Sequence, residues 1–312
     1  GSLSFAAVGS IASPLIGWLM DRYGARPVMV ISLCIFGASF LFRPYMTQLW
    51  HLYALSFFQF LTFSGAALLP AGRLVGIWFP AKRSRVLGIT AVGNNFGGLT
   101  MPLIVGFVLA ASTNSGTETP WRAAFTVIAL GSFLLALASL LLVHETPPWI
   151  HVTRSRRSQQ HHSHPADYSL LEALKTRNFY TMITVLTLAS FTYSGVLPHV
   201  NTHLLDQGIP NGAVLTAVAL LAICGMAGKV TFGYLAEQLT SRRAMMISLT
   251  GQVLFITLIV TFPSQPTIWI SVPMFGFFMG GYGVLITLLT QDTFGLKAFG
   301  SIAGLSQFAT LI

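Results

Sequence analysis

Charge is what this chain has least of. Only 8% of its 312 residues are Asp, Glu, Lys or Arg, where an ordinary soluble domain carries about 25%. A surface so poor in charge excludes a soluble globular enzyme. A hydrophobic fraction of 54% excludes disorder, which needs low hydrophobicity and high net charge. Cysteine is scarce as well. Cys34 and Cys224 fall mid-helix in different halves, so they are expected to be packing residues and to say nothing of redox compartment. Asp and Glu together number only 8, and the spans hold no acid at mid-membrane. Asp21 and Glu237 belong to loops, and Asp206 and Asp292 to helix ends. There is no nucleophile–base pair, phosphate-cradling loop or metal-ligand spacing. No enzyme, cofactor or metal is therefore expected, and the glycine-rich stretches read as helix contacts.

What the chain has in place of charge is long apolar runs. They do not alternate as barrel strands do, which leaves a polytopic helical membrane protein. Runs of about 20 residues predict ten helices near 2–20, 28–45, 51–79, 86–110, 122–143, 178–203, 212–236, 244–262, 267–290 and 299–312. The first run has no charged lead-in and is followed by Asp21 and Arg22, not by a cleavage site, so a signal peptide is not expected.

The cations set the orientation. Arg22 and Arg26, then Lys82, Arg83 and Arg85, lie in the first and third loops. Arg154, Arg156, Arg157, Lys175 and Arg177 lie in the long fifth loop, Arg242 and Arg243 in the seventh and Lys297 in the ninth. That is thirteen of the 17 Lys and Arg on one side, against Arg43 and Arg122 on the other. By the positive-inside rule the odd loops are cytoplasmic. The formal net charge of +9 is then a topology signal, and nucleic acid is not needed to explain it.

The chain also repeats itself. Gly17-Trp18-Leu19-Met20-Asp21 recurs as Gly233-Tyr234-Leu235-Ala236-Glu237, an offset of 216 residues. The same offset carries Arg26 onto Arg242, Gly65 onto Gly281 and Gly88 onto Gly304. Parallel six-helix repeats are a transporter architecture, with the substrate site between the halves. Applying the offset gives an expected intact molecule of twelve helices, of which this chain holds the second to the eleventh. The expected division is an N-terminal bundle over 1–145, a cytoplasmic linker over 146–176 and a C-terminal bundle over 177–312.

The stretch Gly17-Trp18-Leu19-Met20-Asp21-Arg22-Tyr23-Gly24-Ala25-Arg26 resembles the loop motif of the major facilitator superfamily. The resemblance implies that this loop latches the two halves on the inner side and loosens during transport. Gly17 permits close approach of another helix. Asp21 can sit against a helix N-terminus or a cation, and Arg22 and Arg26 hold the loop at the cytoplasmic surface. Gly233, Glu237 and Arg242 form the second copy, which has Gln238 in place of the first arginine. Trp78 to Gly88, Pro102, Trp121 to Phe125, and Phe294 to Gly304 resemble the monocarboxylate and oxalate/formate branch. Gly93-Asn94-Asn95-Phe96-Gly97-Gly98 resembles the antiporter motif of drug/proton exporters, with Asn94 where that motif has proline. Gly93 and Gly97 are expected to form a close-packing face. Asn94 or Asn95 is expected to line the pathway or to hydrogen-bond between helices.

Two cations lie inside helices, where each costs about 2.5–3.5 kcal/mol at the bilayer centre. Arg73 and Lys229 both fall well inside the cytoplasmic end, where snorkelling or a structural ion pair would account for each. The resembling branch places a substrate-binding arginine four residues before the loop-motif glycine of the second half, which puts Lys229 at that position. The aspartate that monocarboxylate transporters carry four residues earlier is Gly225 here. Tyr193 and His199, the latter just after the kink-forming Pro198, sit in the outer half of their helix as further substrate-contact candidates. A histidine at that membrane interface is also simply accounted for as a structural group. His161, His162 and His164 read as part of a solvated linker.

The expected function is alternating-access transport of a small organic anion such as a monocarboxylate, by symport or exchange. The expected partners are a small-molecule substrate, with or without a coupled proton, and the lipid bilayer. The expected form is a monomeric multi-pass protein of the plasma (cell inner) membrane. An exporter of a neutral solute or drug, and a non-transporting membrane receptor of the same fold, stay open as alternatives.

Overall fold

The computed structural model describes residues 2–114, 119–146 and 167–309, and every regular element among them is helical. In chain order these are α1 (Ser2–Tyr23), α2 (Ala25–Leu41), α3 (Leu49–Leu61), α4 (Leu69–Trp78), α5 (Arg83–Asn114) and α6 (Pro120–Leu142). They are followed by α7 (Leu170–Leu174), α8 (Arg177–Phe191), α9 (Leu197–Asp206), α10 (Asn211–Gln238), α11 (Ser241–Thr261), α12 (Gln265–Phe294) and α13 (Phe299–Ala309). The ten predicted runs are all helical in their described parts, and seven of the described helical segments are long and apolar enough to cross a membrane.

Two predicted helices are interrupted. The run at 51–79 divides into α3 and α4 around a π turn, Ser64–Leu68, and the run at 178–203 divides into α8 and α9 around another, Thr192–Val196. Each π turn ends two residues before a proline, Pro70 and Pro198. A proline has no N–H to give and its ring collides with the carbonyl four residues back. Widening the preceding turn absorbs both faults, so the proline predicted to kink its helix does so through a π turn.

The described residues form two compact units. One consists of 1–78, 97–176 and 294–312, the other of 79–96 and 177–293. Neither coincides with a repeat half. α13, from the second repeat, lies in the first unit, and the first turns of α5 lie in the second. In the first unit Ile16, Met20, Ala25, Val28, Leu69 and Phe299 form a buried cluster. In the second, Val200, Leu204 and Ile209 meet Val214, Ala217, Leu221, Ile268, Val272 and Phe275.

Between membrane helices apolar burial gives no drive, so association depends on close backbone approach. Glycine supplies it at α10 and α12. A Cβ at Gly280 would land on the Gly225 carbonyl, one at Gly276 on the Leu221 carbonyl and one at Gly228 on the Phe277 carbonyl. Gly93 and Gly97 behave otherwise. A Cβ at either would meet no atom within 4 Å among the described residues, so no described helix packs on the expected face of α5. The close approach on α5 is made about one and a half turns before Gly93, by Gly88. Cys34 is also corrected: it is exposed on α2, not packed, while Cys224 is half-buried.

Candidate latch and anion site

The first loop motif is tied to α13 by hydrogen bonds and to α4 by an ion pair. Gly17 lies so close to α13 that a Cβ would fall on the Gly300 carbonyl. That approach brings Asp21, in the last turn of α1, to the start of α13. One carboxylate oxygen accepts from the Gly300 N–H at 2.9 Å and the other from the Ser301 N–H at 2.7 Å and the Ser301 hydroxyl at 2.8 Å. Arg73 of α4 donates to the first oxygen at 2.8 Å. The carboxylate thus meets both a helix N-terminus and a cation. Arg73 does not snorkel; its side chain is 17% exposed and Asp21's 11%.

The two arginines of the motif act differently. The Arg22 guanidinium lies 5.3 Å from the Trp18 ring centre and 5.6 Å from that of Tyr23, on the exposed side of the loop. Arg26 joins α2 to the end of α6. Its backbone N–H donates to Glu145 Oε1 at 2.5 Å, and its guanidinium donates to the Leu140 carbonyl in the last turn of α6. Glu145 also lies against Gly24, whose φ of 97° and missing Cβ make room for it.

The second copy repeats the crossing with different chemistry. A Cβ at Gly233 would strike the Ser84 carbonyl and the Gly88 Cα, and one at Gly88 the Lys229 carbonyl. Shifted by the repeat offset, Ser84 is Gly300, Gly88 is Gly304 and Lys229 is Ser13, and a Cβ at Gly304 would strike the Ser13 carbonyl. The α10–α5 and α1–α13 crossings are therefore repeat-related, position for position. Glu237 accepts from Arg85 Nε at 2.6 Å, where Asp21 accepts from Ser301, the repeat mate of Arg85. Arg85 also covers the Tyr234 ring at 4.6 Å. Arg83 pairs with Asp292. Arg242, the mate of Arg26, is exposed with no ion pair among the described residues.

Thr240 stands where the first copy has Gly24 and keeps a positive φ of 150°. A β-branched residue there is strained, at a cost of about 1–3 kcal/mol. It is partly offset because the Thr240 hydroxyl accepts from the Arg243 N–H at 3.3 Å and caps α11. Thr240→Gly should raise the melting temperature of the purified protein, and Thr240→Ala, which keeps the strain and loses the cap, should lower it.

Lys229 lies two helical turns before Glu237, about 12 Å inside the latch at 1.5 Å per residue. It is half-buried, and Nζ donates to Asn95 Oδ1 at 2.5 Å and to the Ala91 carbonyl at 3.0 Å. Its repeat mate Ser13 occupies the same place in the other crossing, where its hydroxyl bonds Ser64 at 2.5 Å and donates to Gln307, the mate of Ala91, at 2.9 Å. No carboxylate pairs with Lys229 among the described residues.

Of the other substrate-contact candidates only Asn95 joins Lys229. Asn94 and His199 are exposed and make no hydrogen bond among the described residues. The side chain of Tyr193, like His161, His162 and His164, lies outside the described residues. On α9 it is His203, missed in the sequence, that turns inward: its Nε2 is buried without a partner among the described residues. Glu145 was missed too, and Arg73, singled out as an intramembrane cation, had no partner named for it. In a chain with so few acids, each acid is itself a pointer to a partner.

Long helices crossing on glycine faces, tied at their ends by ion pairs and a helix N-terminus, and related by an internal repeat, define a polytopic helical membrane protein. The family model of the Major Facilitator Superfamily matches residues 2–312, and the chain belongs to that family. It is 23% identical over 242 residues to the riboflavin transporter MCH5 of Saccharomyces cerevisiae, covering 75% of this chain and 46% of the relative. It is 25% identical over 299 residues to the cis,cis-muconate transport protein of Acinetobacter baylyi (94% of this chain, 70% of the relative). Monocarboxylate transporter 12-B of Danio rerio is 25% identical over 340 aligned positions (96% and 66%). Among solved structures, the proton:xylose symporter XylE superposes with a TM-score of 0.80 at 14% identity, covering 99% of this chain and 75% of XylE. That likeness is one of fold. The chain spans about half the length of the first of these relatives, and all of them are transporters by name.

Proposed function

We propose that the protein carries a small organic anion of the monocarboxylate type across the plasma membrane by alternating access, in symport or exchange. The observation that carries this reading is the state of Lys229. Its ammonium is held inside a span by two neutral oxygens, so its positive charge is left for an anion to neutralise. Keeping an uncompensated cation there is costly, which marks it as functional. The names of the muconate and monocarboxylate relatives support a carboxylate substrate. The name of the riboflavin relative favours a neutral or larger solute and keeps that second reading open. In this proposal Asp21 and Glu237 are inner latches that release as the repeat-related bundles, 1–145 and 177–312, exchange access.

The test is uptake of labelled lactate, pyruvate, oxalate and a neutral sugar by the full-length protein in proteoliposomes, with and without a pH gradient. Saturable carboxylate uptake, falling at least about tenfold in Lys229→Gln, is expected, because the loss of one charge-assisted contact is worth about 1.5–3 kcal/mol. Sugar uptake alone overturns the anion reading. Flux of none of the four indicates a receptor.

A further inference from the structure

We propose that Asn95 is an internal stand-in for the substrate carboxylate: it holds the Lys229 ammonium when no anion is bound and yields it to the arriving anion. The inference rests on the reading of Lys229 as the anion anchor and names the residue that competes with substrate for it.

Three observations carry it. Asn95 Oδ1 is the nearest acceptor of Nζ, at 2.5 Å, ahead of the Ala91 carbonyl at 3.0 Å. Lysine has three N–H donors, and these two acceptors satisfy two of them. The position four residues before Lys229, where an acid on the same helix would face it, is Gly225, so the partner is supplied by α5 instead. The other end of the same amide donates to the Ala222 carbonyl at 3.3 Å. Asn95 therefore clasps α10 at two places, 222 and 229, close above the Gly88–Gly233 crossing.

A neutral amide oxygen is a weaker acceptor for an ammonium than a carboxylate, and the difference grows away from water. An anion reaching Nζ takes the free third N–H and, as the stronger acceptor, draws the ammonium off Asn95, so the clasp between α5 and α10 opens at its stronger end. Substrate binding and loosening of this crossing become one event. The amide also sets affinity, since it competes with the anion for the ammonium.

Equilibrium binding of labelled L-lactate and of labelled cis,cis-muconate to the full-length protein in lipid nanodiscs tests the idea. Asn95→Leu removes the competing oxygen and should tighten binding of whichever probe the wild type takes by about three- to tenfold, the factor of one net hydrogen bond. Asn95→Asp supplies a permanent counter-charge and should weaken it at least tenfold. Asn95→Ser, too short to reach Nζ, should bind as Asn95→Leu does and serves if the leucine variant does not fold. Unchanged or weaker binding in both Leu and Ser variants overturns the inference, because Asn95 is then structural or a direct ligand. A wild type that binds neither probe, or a Lys229→Gln variant that binds as the wild type does, removes the anchor itself and this inference with it.

Discussion

Asp21→Ala is expected to give the larger of the two latch phenotypes: a markedly lower melting temperature and loss of most transport. The carboxylate accepts four hydrogen bonds, from the Arg73 guanidinium, the Gly300 and Ser301 N–H groups and the Ser301 hydroxyl. Removing it leaves Arg73 charged and mostly buried, and leaves two orphan donors at the start of α13. Breaking a buried ion pair by deleting one partner costs about 3–5 kcal/mol. Arg73→Ala should cost less, because Asp21 keeps its three contacts to α13. The pair is tested as a cycle. If the two act through each other, Asp21→Ala/Arg73→Ala is more stable than the sum of the singles predicts, by an interaction of about 0.5–3 kcal/mol. Asp21→Asn should resemble the alanine variant, since its NH2 group would face donors where Asp21 presents only acceptors. A wild-type melting curve for Asp21→Ala would show that the latch does not hold α1 to α13. Lys229→Gln, by contrast, should leave the melting curve close to that of wild type while acting on uptake.

Much of this was legible in the residues. Ten helical segments, the repeat offset of 216 residues and the pairing of Asp21 with a helix N-terminus or a cation follow from hydropathy, self-similarity and the chemistry of a carboxylate. The offset proved richer than its sequence matches. Ser13 and Lys229, or Ser301 and Arg85, differ in size and charge, yet each pair occupies one place in the two crossings, because backbone approach at the glycines fixes position whatever the side chain is. That is why Glu145 was missed and Arg73 was not matched to Asp21: partners drawn from other helices leave no local pattern. The same limit applied to Asn95, whose tie to Lys229 joins residues 134 positions apart. Of the π turns only the one before Pro198 was half visible, as a kink, and a proline alone does not announce one, since Pro14, Pro102 and Pro273 lie inside uninterrupted helices.

The misreading of Gly93 and Gly97 leads to the second large effect. Spacing alone cannot tell a glycine that receives another helix from one that faces open space, and the structure separates them sharply. A Cβ at Gly17 would collide with the Gly300 backbone, and one at Gly88 or Gly233 with the backbone across the α5–α10 crossing. Backbone cannot swing aside as a flexible side chain does, so the helices themselves must part. Gly17→Leu and Gly233→Leu should therefore leave little folded protein. Overpacking a well-packed core costs about 1–3 kcal/mol and more when nothing can yield, and parting the helices also strips Asp21 or Glu237 of its partners. Gly93→Leu and Gly97→Leu meet nothing within 4 Å among the described residues and, in a helix, trade a poor former for a good one. Both should express and melt at or above wild type. Fluorescence-detected size-exclusion chromatography after a heating series distinguishes the two groups in one experiment. Equal loss in all four variants would mean that α5 packs on its glycine face after all, and equal tolerance would mean that the crossings at Gly17 and Gly233 are not held by backbone contact.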